Sequence, residues 1–228
     1  MSREILAFSV FAALACAFAA AVALPAVAQL VSTSSLELLR WAVLVSGASA
    51  VFGSVMIYAT LGREFWSFTR TFIRFALTAG LLGAATVWLT MAFVVWARPT
   101  TDSADILTAA AALCCPAIAG LVACKLAWEA AIFRHLLSPS TTQLKRTARL
   151  MVGELANVTL ARFAAGIFGG LLMPAVIWSH LSQGTTISQD IVALLSVLLF
   201  VACVAGELGE RYLYFAAVAA PRMPGGVR

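Results

Sequence analysis

The chain has 228 residues, 62% of them hydrophobic and only 11% charged, with a mean hydropathy of +0.98. A soluble domain carries about 25% charged residues, so this composition excludes a water-covered globule and places the chain in a bilayer. The net charge of +5 matters through its placement rather than its size.

Six apolar segments follow in chain order, each near the roughly 20 residues that a spanning helix needs. They are 5–30, interrupted by Pro25, then 39–61, 72–97, 106–133, 156–181 and 191–220. Polar turn formers separate them, including Ser32-Thr33-Ser34-Ser35, Arg98-Pro99-Thr100-Thr101-Asp102 and Ser182-Gln183-Gly184. The expected fold is all-α, a polytopic membrane bundle of about six transmembrane helices. It forms a single transmembrane domain over 1–228 with no soluble domain. The first segment has a rival reading as a secretory signal, with Arg3 ahead of the apolar run and Ala26-Val27-Ala28 as a cleavage site. Its length and Glu4 favour a span.

Trp41, Trp66, Trp88, Trp96, Trp128 and Trp178 lie mostly near segment ends, as an interfacial belt does. Gly166-x-x-x-Gly170 and Ala165-x-x-x-Gly169 form a small-residue stripe on the fifth segment, suited to close helix approach. Pro116 and Pro174 are expected to kink the fourth and fifth helices. The five cysteines lie in apolar stretches without a C-x-x-C pair, so they read as small buried apolar residues.

With six spans, both termini and the second and fourth loops share one face. Arg3, Arg63, Arg70, Arg74, Lys125, Arg134, Lys145, Arg146, Arg149, Arg211, Arg222 and Arg228 fall on it, against Arg40 and Arg98 opposite, with Arg162 inside a span. The positive-inside rule makes the basic face and both termini cytoplasmic. This insertion signal accounts for the basic residues without nucleic acid.

The membrane carboxylates gather toward the same face: Glu4, Glu129, Glu154, Glu207 and Glu210. Lys125 and Glu129 share a helix face, as do Glu207 and Arg211. Arg162 lies about 12 Å deeper than Glu154 at 1.5 Å per residue. An arginine at that depth needs a carboxylate or carbonyls from a neighbouring helix, and Glu207 is the first candidate. These charges read either as structural ion pairs or as a headgroup pocket that exchanges protons. The two histidines, His135 and His180, fall near opposite faces, so they cannot ligate one haem; no haem and no metal on this chain are expected. Residues 140–153 read as a short amphipathic helix capped by Ser140 or Thr141. Lys145, Arg146 and Arg149 line its polar face, which suits the membrane surface or a partner.

Four stretches carry a family resemblance: S-R-E-I-L-A at 2–7, R-E-F-W-S-F-T-R-T at 63–71, R-H-L with L-K-R-T-A-R-L over 134–150, and G-E-L-G-E-R-Y-L-Y-F-A-A-V-A-A-P-R-M-P-G-G from 206. In this order they resemble the membrane-anchor subunit of dimethyl sulfoxide reductase-type molybdopterin oxidoreductases. The resemblance implies a bacterial inner-membrane protein of an anaerobic respiratory chain that oxidises quinol (menaquinol or ubiquinol). Its partners would be a 4Fe-4S ferredoxin-like iron–sulfur subunit and a molybdopterin catalytic subunit. Glu4, in the Ser-x-Glu segment, and Glu207, in the G-E-L segment, map onto the quinol site, with Arg3 and Arg211 as headgroup or carboxylate partners. Arg63, Arg70, Arg74, Arg134, Lys145, Arg146 and Arg149 would dock the iron–sulfur subunit. Relatives carry two further helices ahead of the Ser-x-Glu segment, so this chain is expected to be a shortened form or to have a misassigned start. The alternatives are a purely structural tether and a small transporter with Arg162 and Glu207 along its path.

Overall fold

A computed structural model describes residues 2–24, 29, 31–100, 102–183 and 188–218, with side chains from residue 5 onward. The described residues form helices and turns without a strand. We label the helices α1 (Ser2–Ala23), α2 (Thr33–Ala59), α3 (Phe68–Ala97), α4 (Ser103–Ala130), α5 (Gln143–Val152), α6 (Ala156–Gly166), α7 (Met173–Ser182) and α8 (Gln189–Ala216). Short 3-10 segments cover Glu64–Trp66 and Ala131–Leu137, and a π-helical segment, Ile167–Leu172, joins α6 to α7. Among the described residues six stretches are long and apolar enough to cross a membrane: Ile5–Ala23, Thr33–Ala59, Phe68–Ala97, Ser103–Leu137, Ala156–Ser182 and Gln189–Ala216. The protein is an all-α, multi-pass membrane protein.

Several helices start earlier than their apolar runs. α2 begins at Thr33 because the Ser32 hydroxyl accepts the Ser35 N–H at 3.2 Å, which satisfies one of the unpaired donors of the first turn. α5 is capped by Thr142, whose hydroxyl accepts the Lys145 N–H. The cap therefore falls two residues beyond Ser140 and one beyond Thr141, the two expected from sequence. The boundary of the first segment at Pro25 lies outside the described residues, as do the Ala26-Val27-Ala28 site and Arg222 and Arg228.

The chain divides into two compact units, 1–75 and 76–228. In the first, α1 packs on α2. Gly47 lies against the Phe11 ring, where a Cβ would come within 2.9 Å of the ring edge. The turn after α2 contains Gly62, at a φ of +65°, a conformation that glycine adopts without steric cost. Arginines and aromatic rings then tie the turn together. The Arg63 guanidinium lies 4.9 Å from the Trp66 ring centre and that of Arg74 lies 4.5 Å from Phe65. Arg70 donates to the Glu64 carbonyl at 3.0 Å.

In the second unit, Leu81, Trp88, Ile118, Val122, Leu199 and Cys203 belong to one buried apolar core. Trp88 is fully buried, which corrects its place in an interfacial belt: it sits mid-span on α3, where the ring contributes core volume rather than an anchor at the headgroups. The π segment shapes the close packing. The Met173 N–H reaches back five residues to the Phe168 carbonyl, a wide turn immediately before Pro174. Proline cannot donate and crowds the carbonyl four residues earlier, and π turns commonly accommodate such a break. Across this segment the small residues divide between two neighbours. A Cβ on Gly170 would collide with Val122 of α4, and one on Gly169 would lie 2.6 Å from Ala202 of α8. α4 remains helical through Pro116.

Candidate functional site

The second unit buries a cluster of ionisable side chains from three helices, joined by a hydroxyl from a fourth. Thr78 lies on α3, Lys125 and Glu129 on α4, Arg162 on α6, and Glu207 and Glu210 on α8. Lys125 is fully buried, and Glu129, Arg162, Glu207 and Glu210 are each no more than 4% exposed. Burying an unpaired charge is costly, so such groups are found paired and hydrogen-bonded.

Glu207 is the hub. Its Oε2 accepts the Thr78 hydroxyl at 2.7 Å and the Lys125 ammonium. Lys125 also donates to Thr78 Oγ1 and lies 3.9 Å from Glu210 Oε2. The other oxygen of Glu207, Oε1, accepts Arg162 Nη2 at 3.4 Å, and the same nitrogen donates to Glu129 Oε1 at 2.8 Å. The Arg162–Glu207 contact expected from sequence is therefore present, but Glu129 is the closer partner. Charge-assisted bonds of this kind are roughly twice as strong as neutral ones.

Glycines make the cluster possible. A Cβ on Gly166 or Gly206 would lie 3.0 Å from Arg162 Nη1, and one on Gly209 would lie 3.5 Å from Arg162 Cβ. The Gly206-Glu207-Leu208-Gly209 run thus lets α8 pass close to α6 and leaves room for the guanidinium between them. The sequence points to Glu207 and sets Lys125 on one helix face with Glu129, but it does not show the Lys125–Glu207 contact, Thr78 or the role of these glycines. Lys125 belongs by sequence to the basic face, but in the fold it is fully buried and pairs with Glu207 across the helices. The Thr78 hydroxyl is one of many in apolar segments, and no sequence signal marked it.

The other expected site residues are dispersed. The side chains of Arg3 and Glu4 lie outside the described residues. Arg211 is half-buried one turn beyond Glu207 on α8. Arg134 and Arg149 are exposed, whereas Arg63, Arg70, Lys145 and Arg146 are half-buried and Arg74 is buried. Of the docking set, Arg63, Arg70 and Arg74 hold their own turn together. Lys145 donates to the Ser138 carbonyl, which ties α5 back to the preceding loop. α5 buries Leu144, Thr147, Ala148 and Met151 and turns Arg149 outward. His135 lies in the 3-10 segment after α4 and His180 near the end of α7.

A separate, almost entirely apolar hollow of about 160 Å³ lies between α4 and α7, lined by Cys115, Pro116 and Trp178 among others. No family model matches the chain, and no curated protein or solved structure matches it either.

Proposed function

We propose that this protein is a membrane-anchor subunit of a molybdopterin oxidoreductase of the dimethyl sulfoxide reductase type, in a bacterial inner membrane with its basic face in the cytoplasm. It oxidises quinol and passes the electrons to an iron–sulfur subunit. The observation that carries this reading is the buried carboxylate cluster centred on Glu207, inside the G-E-L-G-E-R segment and near the same end of the unit as the exposed Arg134 and Arg149. Oxidising a quinol to a quinone releases two protons and two electrons. The electrons leave to the iron–sulfur partner, and the protons need acceptors at the membrane edge. Carboxylates in a desolvated site suit that task, and Glu4 and Glu207 are the acceptors proposed here. Arg3 and Arg211 orient the headgroup or hold the carboxylates, while the exposed arginines meet the partner subunit.

A second reading, a tether without quinol chemistry, draws on a specific observation. Both oxygens of Glu207 are already engaged, by Lys125 and Thr78 on one side and Arg162 on the other. One experiment separates the two. The tagged chain is captured from mild detergent, the eluate is assayed for molybdenum and iron, and quinol-dependent reduction is measured for the wild type, Glu4→Gln and Glu207→Gln. The quinol-oxidising anchor requires both metals in the eluate and a loss of turnover in the variants with assembly intact. Metals without quinol-dependent turnover in the wild type leave the tether, whereas unchanged turnover in both variants removes Glu4 and Glu207 from the mechanism. An eluate with neither metal sinks both readings.

A further inference from the structure

The end of the second unit remote from the ionic cluster has a chemistry of its own. Asp190 stands in the first turn of α8 and Glu207 seventeen residues later, about 25 Å away at 1.5 Å per residue. Trp96, near the end of α3, donates its indole N–H to Asp190 Oδ1 at 2.8 Å. Phe93 stands beside the indole with ring centres 5.2 Å apart. Together with Leu194 and Val197 these residues line an open hollow of about 200 Å³. Both aromatic rings are exposed, Phe93 at 53% and Trp96 at 43%. Arg98 follows α3 directly, is exposed, and makes no ion pair among the described residues.

We propose that this hollow binds a phospholipid whose headgroup carries a primary ammonium, of the phosphatidylethanolamine type. A carboxylate beside exposed aromatic faces recognises a cation, because the ring quadrupole and the carboxylate attract it together. Asp190 uses Oδ1 for the indole and offers Oδ2 as a charged acceptor. A primary ammonium has N–H donors for that oxygen, whereas a quaternary ammonium has none. Arg98, exposed just past the end of α3 and outside the lining of the hollow, is the cation nearest in sequence to Trp96 and is assigned to the lipid phosphate. Leu194 lies four residues past Asp190, one helical turn, and Val197 one turn further, so the apolar part of the hollow runs from the carboxylate toward the bilayer interior, as an acyl chain does. The site is independent of the quinol reading.

The full chain, purified in mild detergent and partly delipidated, is titrated with phosphatidylethanolamine, phosphatidylcholine and phosphatidylglycerol, with bound lipid counted by native mass spectrometry. The wild type is expected to bind phosphatidylethanolamine in preference to the other two. Asp190→Asn keeps an acceptor for the indole and removes the charge. It should weaken phosphatidylethanolamine on the order of tenfold, the effect of one charge-assisted hydrogen bond, and leave phosphatidylglycerol unchanged. Trp96→Phe keeps a ring and loses the N–H, and should weaken the same lipid by a smaller factor. Undiminished phosphatidylethanolamine binding by Asp190→Asn overturns the proposal. So does wild-type binding of phosphatidylcholine or phosphatidylglycerol as tight as that of phosphatidylethanolamine. Displacement of the lipid by millimolar free ethanolamine overturns the lipid as the occupant.

Discussion

The two ends of the second unit use the same kind of bond for different purposes. Arg162 meets Glu129 at 2.8 Å near one end, and Trp96 meets Asp190 at 2.8 Å at the other. The lengths are equal but the surroundings are not. The first pair is almost wholly buried and the second is exposed. Length therefore says little about what each bond contributes. What matters is whether a group that loses its partner can turn to water. Glu129 cannot, so its partner is obligatory. Asp190 can, so its bond is expendable for folding and available for recognition.

Removing a buried partner tests this contrast most severely. Arg162→Ala leaves Glu129 and one oxygen of Glu207 without their cation, and it should cost about 3–5 kcal/mol, read as a large fall in the thermal midpoint of the detergent-solubilised protein. Replacing the pair together, Arg162→Met with Glu129→Leu, should recover much of that loss, because Glu129 is then no longer stranded and Glu207 keeps Lys125. If the double variant is as unstable as the single, the cluster contributes through packing rather than charge compensation.

A smaller effect is expected where backbones approach closely. Gly170→Ala places a methyl against Val122 and should destabilise by about 1–3 kcal/mol through overpacking. Gly83, on α3, has open space around its Cβ position, so Gly83→Ala should be neutral or gain up to about 1 kcal/mol from helix propensity. Equal responses at the two positions in the same thermal assay would mean that the contact with Val122 is not tight.

The smallest effects belong to the exposed pairs. Arg40 and Glu37 lie 3.4 Å apart and are about 60% exposed. Breaking that pair with Arg40→Ala should shift stability by less than about 1 kcal/mol. Asp190→Asn should fall in the same range. A large loss from Asp190→Asn would erase the distinction between the two ends and make Asp190 a structural residue.

By itself the sequence determined the architecture and the need for pairing. Long apolar runs bounded by polar turn formers are local signals, so six spanning helices were legible, and so was the amphipathic stretch that becomes α5. Arg162 within an apolar run required a carboxylate on a neighbouring helix, because an unpaired charge in hydrocarbon is too costly. Which carboxylate it meets first was decided only by the tertiary structure. Helical periodicity defines the face a residue occupies, but not the rotation and axial offset between helices. Those depend on Gly166, Gly169, Gly170 and Gly206 and on the π turn ahead of Pro174. They bring Glu129 closer to Arg162 than Glu207 and turn Lys125 into the protein. For the same reason they place Trp88 in the core.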